Sequence, residues 1–122
     1  VSEPVNDVDH AGAYLVSTRE GLDIVEAVGL PNVRLLWDIY HSNVMKEPLD
    51  VIAGRAHLIA HVQAADFPGR HQPGTGGIDW PAYLALLERE GYTGLMGLEY
   101  RPEGDHAQSI RQAAATLQSP LG

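Results

Sequence analysis

The chain contains no cysteine. That excludes disulfides, thiolate metal sites and a cysteine nucleophile. Basic residues are scarce: 8 Lys and Arg stand against 16 Asp and Glu, a formal charge of -8. Such a surface is not built for a phosphate backbone, so no nucleic-acid partner is expected. No apolar run approaches the length of a membrane span, and no basic, apolar, cleavable leader opens the chain. A soluble cytoplasmic protein with no membrane partner is therefore the expectation. Aromatics make up only 7% of the chain, whereas small residues are common and glycines number 13. That balance suits an α/β fold, and at 122 residues one domain is the upper bound.

The rest of the sequence is organised around Leu35-Leu36-Trp37-Asp38-Ile39-Tyr40-His41. The apolar run from Val33 to Trp37 shows no alternation, which reads as a buried strand of a parallel sheet. A carboxylate at the end of such a strand is costly unless something pairs with it. Asp38 therefore has two readings. One is a cap for the next turn or helix; the other is a metal ligand with His41 beside it.

The chain in order reads as alternating strands and helices. Val1 to Val5 is a short first strand that must end at Pro4 or lie at an edge. Ser17-Thr18-Arg19-Glu20 has the capping-box pattern. It opens a helix with Leu22, Val25 and Val28 on one face, closed by Gly29 and Pro31. After the Val33–Trp37 strand, Pro48 is expected to start a helix from Leu49 to His57. Leu58 to Ala65 reads as the next strand, carrying His61 and Gln63 on one face, with Asp66 just beyond. The stretch from Phe67 to Gly77 is long for a connection, which marks it as functional or mobile. Asp79 caps a helix over Trp80 to Glu90, stopped by Gly91. Leu95 to Tyr100 is a further strand, ending in Glu99. Asp105 caps a last helix with Ile110, Ala113, Ala114 and Leu117 inward, and Ser119 to Gly122 reads as a frayed tail. Repeated βα units argue a parallel sheet.

Four strands thus deliver one metal-competent side chain each at or near their C-terminal ends: Glu3, Asp38, Gln63 and Glu99. In a βα barrel those ends converge on one mouth, where active sites sit. Three carboxylates and an amide oxygen form a hard site that suits Mg²⁺ or Mn²⁺ better than zinc. Each residue also has a plain structural explanation. Glu3 fits a frayed terminus, Gln63 a satisfied core amide, and Glu99 a partner of Arg101 or Arg70. It is the repetition at equivalent strand positions that carries the site reading. His41 is a candidate for the same mouth or a surface histidine, and His61 an orienting group or a core histidine. Arg70 is a candidate for holding a substrate carboxylate or a solvated loop charge. Trp80 and Tyr83 read as packing. His10, His57, His71 and His106 show no usable pattern. Gly74-Thr75-Gly76-Gly77 is only loosely like a phosphate cradle, because no Lys-Ser or Lys-Thr follows it.

Several stretches together resemble the xylose-isomerase-like TIM barrels, and within them the hydroxypyruvate isomerases. They are Glu3-Pro4-Val5-Asn6, Asp38-Ile39-Tyr40-His41, His61-Val62-Gln63, Pro68-Gly69-Arg70, Gly77-Ile78-Asp79-Trp80 and Gly97-Leu98-Glu99-Tyr100-Arg101-Pro102. The more telling features are His-Val-Gln, with glutamine where sugar epimerases usually carry histidine, and Gly-x-Glu-Tyr-x-Pro. The resemblance implies a (β/α)8 barrel of which residues 1–122 cover the C-terminal half, roughly strands five to eight. It implies Glu3, Asp38, Gln63 and Glu99 as metal ligands, and Glu3 and Glu99 as the acid/base pair. His41 matches a contact to substrate oxygens, and Arg70 the substrate-holding arginine. The implied reaction is metal-assisted isomerisation of a small hydroxy-carbonyl substrate through an enediolate, hydroxypyruvate to tartronate semialdehyde.

Half a barrel cannot close on itself. The chain is expected to be a fragment of a longer protein, since Glu3 lies where its strand has barely begun; two half-barrels associating as a homo-oligomer is the other route. Three competing functions stand beside the isomerase. One is isomerisation or epimerisation of a larger sugar or sugar acid by the same chemistry. Another is a non-catalytic half-barrel interaction module. The third is a related apurinic endonuclease, which the net acidity and Gln63 argue against.

Overall fold

The computed structural model describes residues 1–118; the tail expected to fray, Ser119 to Gly122, lies outside them. Strands β1 (Leu35–Asp38), β2 (Ile59–Ala64) and β3 (Met96–Leu98) form one parallel sheet in chain order. Around it lie α1 (Thr18–Val28), α2 (Ile39–Val44), α3 (Trp80–Arg89) and α4 (His106–Thr116). Parallel neighbours require a connection that carries the chain back along the sheet.

The fourth strand, expected over Val1 to Val5, is reduced to one parallel bridge between Ser2 and Leu35. Ser2 N donates to the Arg34 carbonyl at 3.1 Å, and Leu36 N donates to the Ser2 carbonyl at 2.9 Å. Pro4 has no N–H to continue the ladder, and Val5 N turns away to the Leu15 carbonyl.

Helix α1 begins as its sequence predicts. Ser17 accepts from Glu20 N, and Gly29 stops the helix in the left-handed region at φ 65. Glu47 adds a second cap from far along the chain, accepting from Thr18 N at 3.1 Å. The buried stripe is Thr18, Gly21, Leu22 and Val25. The next position on that stripe is the cap Gly29, so Val28 is 44% exposed rather than inward.

Two helices differ from expectation between β1 and β2. The helix expected from Leu49 to His57 does not form. Val51 N bonds Pro48 O, Ala53 N bonds Asp50 O, and Arg55 N bonds Ile52 O, all tight three-residue turns. Gly54 at φ 77 splits the segment, because that backbone conformation cannot propagate a right-handed helix. Val51, Ile52 and Ala56 still reach the core. In its place the short helix α2 starts directly after β1, with Asp38 as its N-cap.

One face of the sheet carries the core. Leu35, Trp37, Ile59, Val62 and Ala64 pack with Leu22, Ile52, Trp80, Tyr83 and Leu86. Trp37 is 1% exposed, so its truncation to Ala would cost about 3–5 kcal/mol. Strand alternation sends the intervening residues to the opposite face. The register sets Leu36 beside His61, Asp38 beside Gln63, and Gln63 beside Gly97. That polar face, not the core face, presents the candidate chemistry.

Helix α4 is capped by Asp105, which accepts from Gln108 N at 2.8 Å. It buries Ser109 and Ala113, while Ile110, expected inward, is 56% exposed and Ala114 also faces out. Polar docking turns the helix this way: Tyr100 and Ser109 share a hydrogen bond of 3.0 Å, and Gln72 Nε2 donates to Gln112 Oε1 at 3.1 Å.

Candidate functional site

The two oxygens of Asp38 have different surroundings, and the cap reading holds for one of them. Oδ1 accepts from Tyr40 N at 2.8 Å and from His41 N at 3.4 Å, and so caps α2. Oδ2 is buried and has no hydrogen-bond partner among the described residues. Because α2 begins at once, His41 is carried back over the strand end. Its Nε2 lies 3.8 Å from Asp38 Oδ2 and 3.9 Å from Glu3 Oε1. Glu3, Asp38 and His41 each offer a ligand atom within 4.8 Å of the others.

Gln63 links this cluster to Glu99. With its nitrogen turned inward, the amide donates to Glu3 Oε1 at 3.3 Å and to Glu99 Oε2 at 2.8 Å. With its oxygen inward, it joins the carboxylates in an all-oxygen cage. Glu99 reaches the site because its N–H continues the β3 ladder to the Ala64 carbonyl at 3.1 Å.

The site strains against its own charge. Burial, and then repulsion from Asp38 and Glu99, push the Glu3 carboxyl up to about 7, with Arg70 opposing. Burial also pushes Asp38 up to about 6 against the bonds from Tyr40 and His41 and the pull of Arg70. His41 is lowered to about 4, by burial first and then by Arg70 and His10, so its imidazole is neutral near pH 7. Clustered carboxylates that resist ionising, one bearing an orphaned buried oxygen, fit a divalent cation that would relieve both. The oxygen-rich donor set fits that reading as well.

Arg70 sits in the left-handed region at φ 59. Its N–H donates to the Asp66 carbonyl, and its own carbonyl accepts from Arg101 N at 2.8 Å. The guanidinium lies 4.9 Å from the Tyr40 ring centroid and its Nη2 is 3.7 Å from Glu99 Oε2. A cavity of about 460 Å³ opens here, lined by Asp9, His10, Tyr40, Phe67, Gly69, Arg70 and Arg101. Tyr40 donates its hydroxyl to Asp9. Its pKa is pushed up to about 12, by burial first and then by that carboxylate.

The loop from Phe67 to Gly77 is tied down by one carboxylate. Asp66 accepts from Phe67 N, Gly74 N, Ile78 N and Trp80 Nε1 at 2.8 to 3.1 Å. The glycine run that loosely suggested a phosphate cradle thus wraps an anion of the chain itself. A Cβ on Gly76 would stand 2.5 Å from Asp66 Oδ1 and 2.7 Å from the Phe67 carbonyl. His61 lies against Gly97, where a Cβ would meet its Nε2 at 2.7 Å. Among the histidines without a pattern, His71 Nδ1 donates to the Arg101 carbonyl at 2.8 Å. The His10 ring stands 5.5 Å from that of His41.

Sequence reasoning missed Asn6, Asp9, Tyr40 and Asp66 as organising groups. Asn6 is fully buried, and Asp9 N donates to its Oδ1 at 2.6 Å. The spacing Asn-x-x-Asp just after Glu3 was the available signal, since Asn bonds its own backbone a few residues on.

Parallel strands with carboxylates at their C-terminal ends define the mouth of a βα barrel. The family model described as Xylose isomerase-like TIM barrel matches residues 2–119, and the chain belongs to this family. It is 37% identical over 110 residues to hydroxypyruvate isomerase of Escherichia coli, covering 89% of this chain and 43% of that protein. It is 33% identical over 105 residues to 2-oxo-tetronate isomerase of Cupriavidus necator, covering 82% of this chain and 39% of the relative. A crystal structure of an AP endonuclease, family 2, from Brucella melitensis superposes with a TM-score of 0.85 at 32% identity, over 93% of this chain and 44% of that one. The chain therefore spans less than half the length of these relatives, and its described residues form three strands and a bridge rather than a closed barrel. Among the described residues no helix is long and apolar enough to cross a membrane.

Proposed function

We propose that the chain is the C-terminal half, strands five to eight, of a metal-assisted isomerase barrel, acting on a small hydroxy-carbonyl acid. The observation that carries this reading is the cluster of Glu3, Asp38, Gln63 and Glu99 at successive strand ends, with Asp38 Oδ2 buried and without a partner among the described residues. These four residues would hold Mg²⁺ or Mn²⁺. Bound there, the cation supplies Lewis acidity for negative charge developing on substrate oxygens. Glu3 and Glu99 flank the Gln63 amide, and in this reading one removes a carbon-bound proton while the other returns it to the neighbouring carbon. His41 offers a neutral ring to a substrate oxygen, and Arg70, braced on Tyr40, takes the carboxylate.

Hydroxypyruvate, converted to tartronate semialdehyde, is the favoured substrate, supported by the 37% identity to the E. coli enzyme. A 2-oxo sugar acid is the second reading, supported by the C. necator relative. The remaining strands come from the rest of the barrel or from a second copy. The first test is a Mn²⁺ titration of the chain against Glu99→Gln. Affinity should fall about 100-fold in the variant; equal affinity in both proteins would overturn the site. In the completed barrel, exchange of carbon-bound hydrogen with deuterated solvent, compared for hydroxypyruvate, 2-oxo-tetronate and a neutral ketose, separates the substrates. No Mn²⁺ binding and no exchange in the completed barrel would leave a non-catalytic interaction module.

A further inference from the structure

We infer that Asn6, locked by Asp9, is a positioning residue that keeps the proton of His41 on Nε2, the ring nitrogen facing Glu3 and Asp38. The argument starts from the amide. Asn6 Oδ1 accepts from Asp9 N at 2.6 Å, and Asn6 Nδ2 donates to Asp9 Oδ2 at 3.1 Å. Turning the amide over would set oxygen against carboxylate and N–H against N–H, so its orientation is fixed. The same Nδ2 lies 2.7 Å from His41 Nδ1, and the Asn6 backbone N–H donates to that atom at 3.1 Å. Both groups are donors only. Nδ1 must therefore present its lone pair, and the single proton of the neutral ring sits on Nε2. Asn6 is 0% exposed and His41 3% exposed, so water does not compete for the bond.

The consequence reaches the site. With Nε2 protonated, His41 is a hydrogen-bond donor toward the mouth of the strands and is disfavoured as a ligand through that nitrogen. It therefore stands beside the oxygen cage as a contact for a substrate oxygen, although it lies within ligand distance of Glu3 and Asp38. Asp9 does further work, because its Oδ2 also takes the Tyr40 hydroxyl, and the Tyr40 ring carries the Arg70 guanidinium. One carboxylate outside the proposed ligand set thus orients both side chains assigned to the substrate. The role for His41 rests on the proposed function; the position of its proton does not.

The test is long-range ¹H–¹⁵N correlation on the labelled chain at neutral pH, with the His41 signals identified by their loss in His41→Gln. A protonated Nε2, an unprotonated Nδ1 and a scalar coupling across the hydrogen bond from Nδ1 to an Asn6 nitrogen are expected. In Asn6→Asp the side-chain donor becomes an acceptor while the backbone N–H toward Nδ1 remains, so the fraction of rings protonated on Nδ1 should rise. A wild-type ring protonated on Nδ1, or an Asn6→Asp ring with no more Nδ1 protonation than the wild type, overturns the inference. If Asn6→Asp does not give a dispersed spectrum, the wild-type coupling decides alone: its presence supports the inference, and its absence overturns it. A separate Mn²⁺ titration reads the proposed function. The expected tautomer without Mn²⁺ binding would sink the metal site and leave this inference standing; Mn²⁺ binding with Nδ1 protonated would do the reverse.

Discussion

Asp38 and Asp66 are carboxylates at the ends of adjacent strands, 2% and 0% exposed, and they behave oppositely. Burial penalises charge on both. At Asp66 the bonds from Trp80 and the loop amides outweigh it, and the carboxyl lies below its ordinary value. At Asp38 they do not, and the carboxyl rises to about 6. The difference is donor count: both Asp66 oxygens are filled, whereas Asp38 Oδ2 has no donor among the described residues. A buried carboxylate with a full set of donors organises structure. One left open beside a second carboxylate is available for chemistry.

That contrast can be broken at either end. The largest effect is expected from Asp66→Asn, which turns an amide toward two of the four donors and should cost about 4 kcal/mol in urea unfolding. Asp38→Asn retains the Oδ1 cap and should leave stability within about 1 kcal/mol. Its Mn²⁺ affinity should nevertheless drop by more than about 100-fold in calorimetry. Equal destabilisation by the two variants would erase the distinction. Gly76→Ala forces a Cβ into Asp66 Oδ1 and should cost about 2 kcal/mol, read as a lowered midpoint with unaltered Mn²⁺ affinity.

The smallest effect sharpens the comparison through pH. A carboxyl whose folded pKa lies above its unfolded value contributes stability while protonated and loses it as pH rises through the folded value. Glu3 at about 7 and Asp38 at about 6 are of this kind. The metal-free chain should therefore melt lower at about pH 8 than at about pH 5, with part of that difference gone in Asp38→Asn. Asp66 has the opposite sign, since its lowered pKa gives stability that is lost as pH falls through the folded value. Acid unfolding below about pH 4 should therefore survive in Asp38→Asn and weaken in Asp66→Asn.

Much of the fold was legible because local signals agreed with one another. Ser17, Asp79 and Asp105 cap the helices they precede, and the three sheet strands lie within the apolar runs or at their ends. Legibility failed where a local signal was outvoted. Pro48 is a good helix opener, yet Gly54 at positive φ and the burial of Val51 and Ile52 impose turns. Asp38 was weighed as a cap or as a ligand; the fold uses one oxygen as the cap and leaves the other buried without a partner among the described residues. Ile110 has the apolar character of an inward residue, but polar docking of Ser109 and Gln112 sets the rotation of its helix.

By itself the sequence determined which residues are candidates for the chemistry. Glu3, Asp38, Gln63 and Glu99 follow from strand periodicity, since the C-terminal ends of parallel strands lie on one side of a sheet. Tertiary structure alone decided the state of each group: which Asp38 oxygen stays open, which His41 nitrogen holds the proton, and that the glycine loop closes on Asp66. Those outcomes depend on donors brought from far along the chain, as from Asn6 to His41 across 35 positions. A hydrogen bond is set by distance and angle between two atoms, which residue order does not contain.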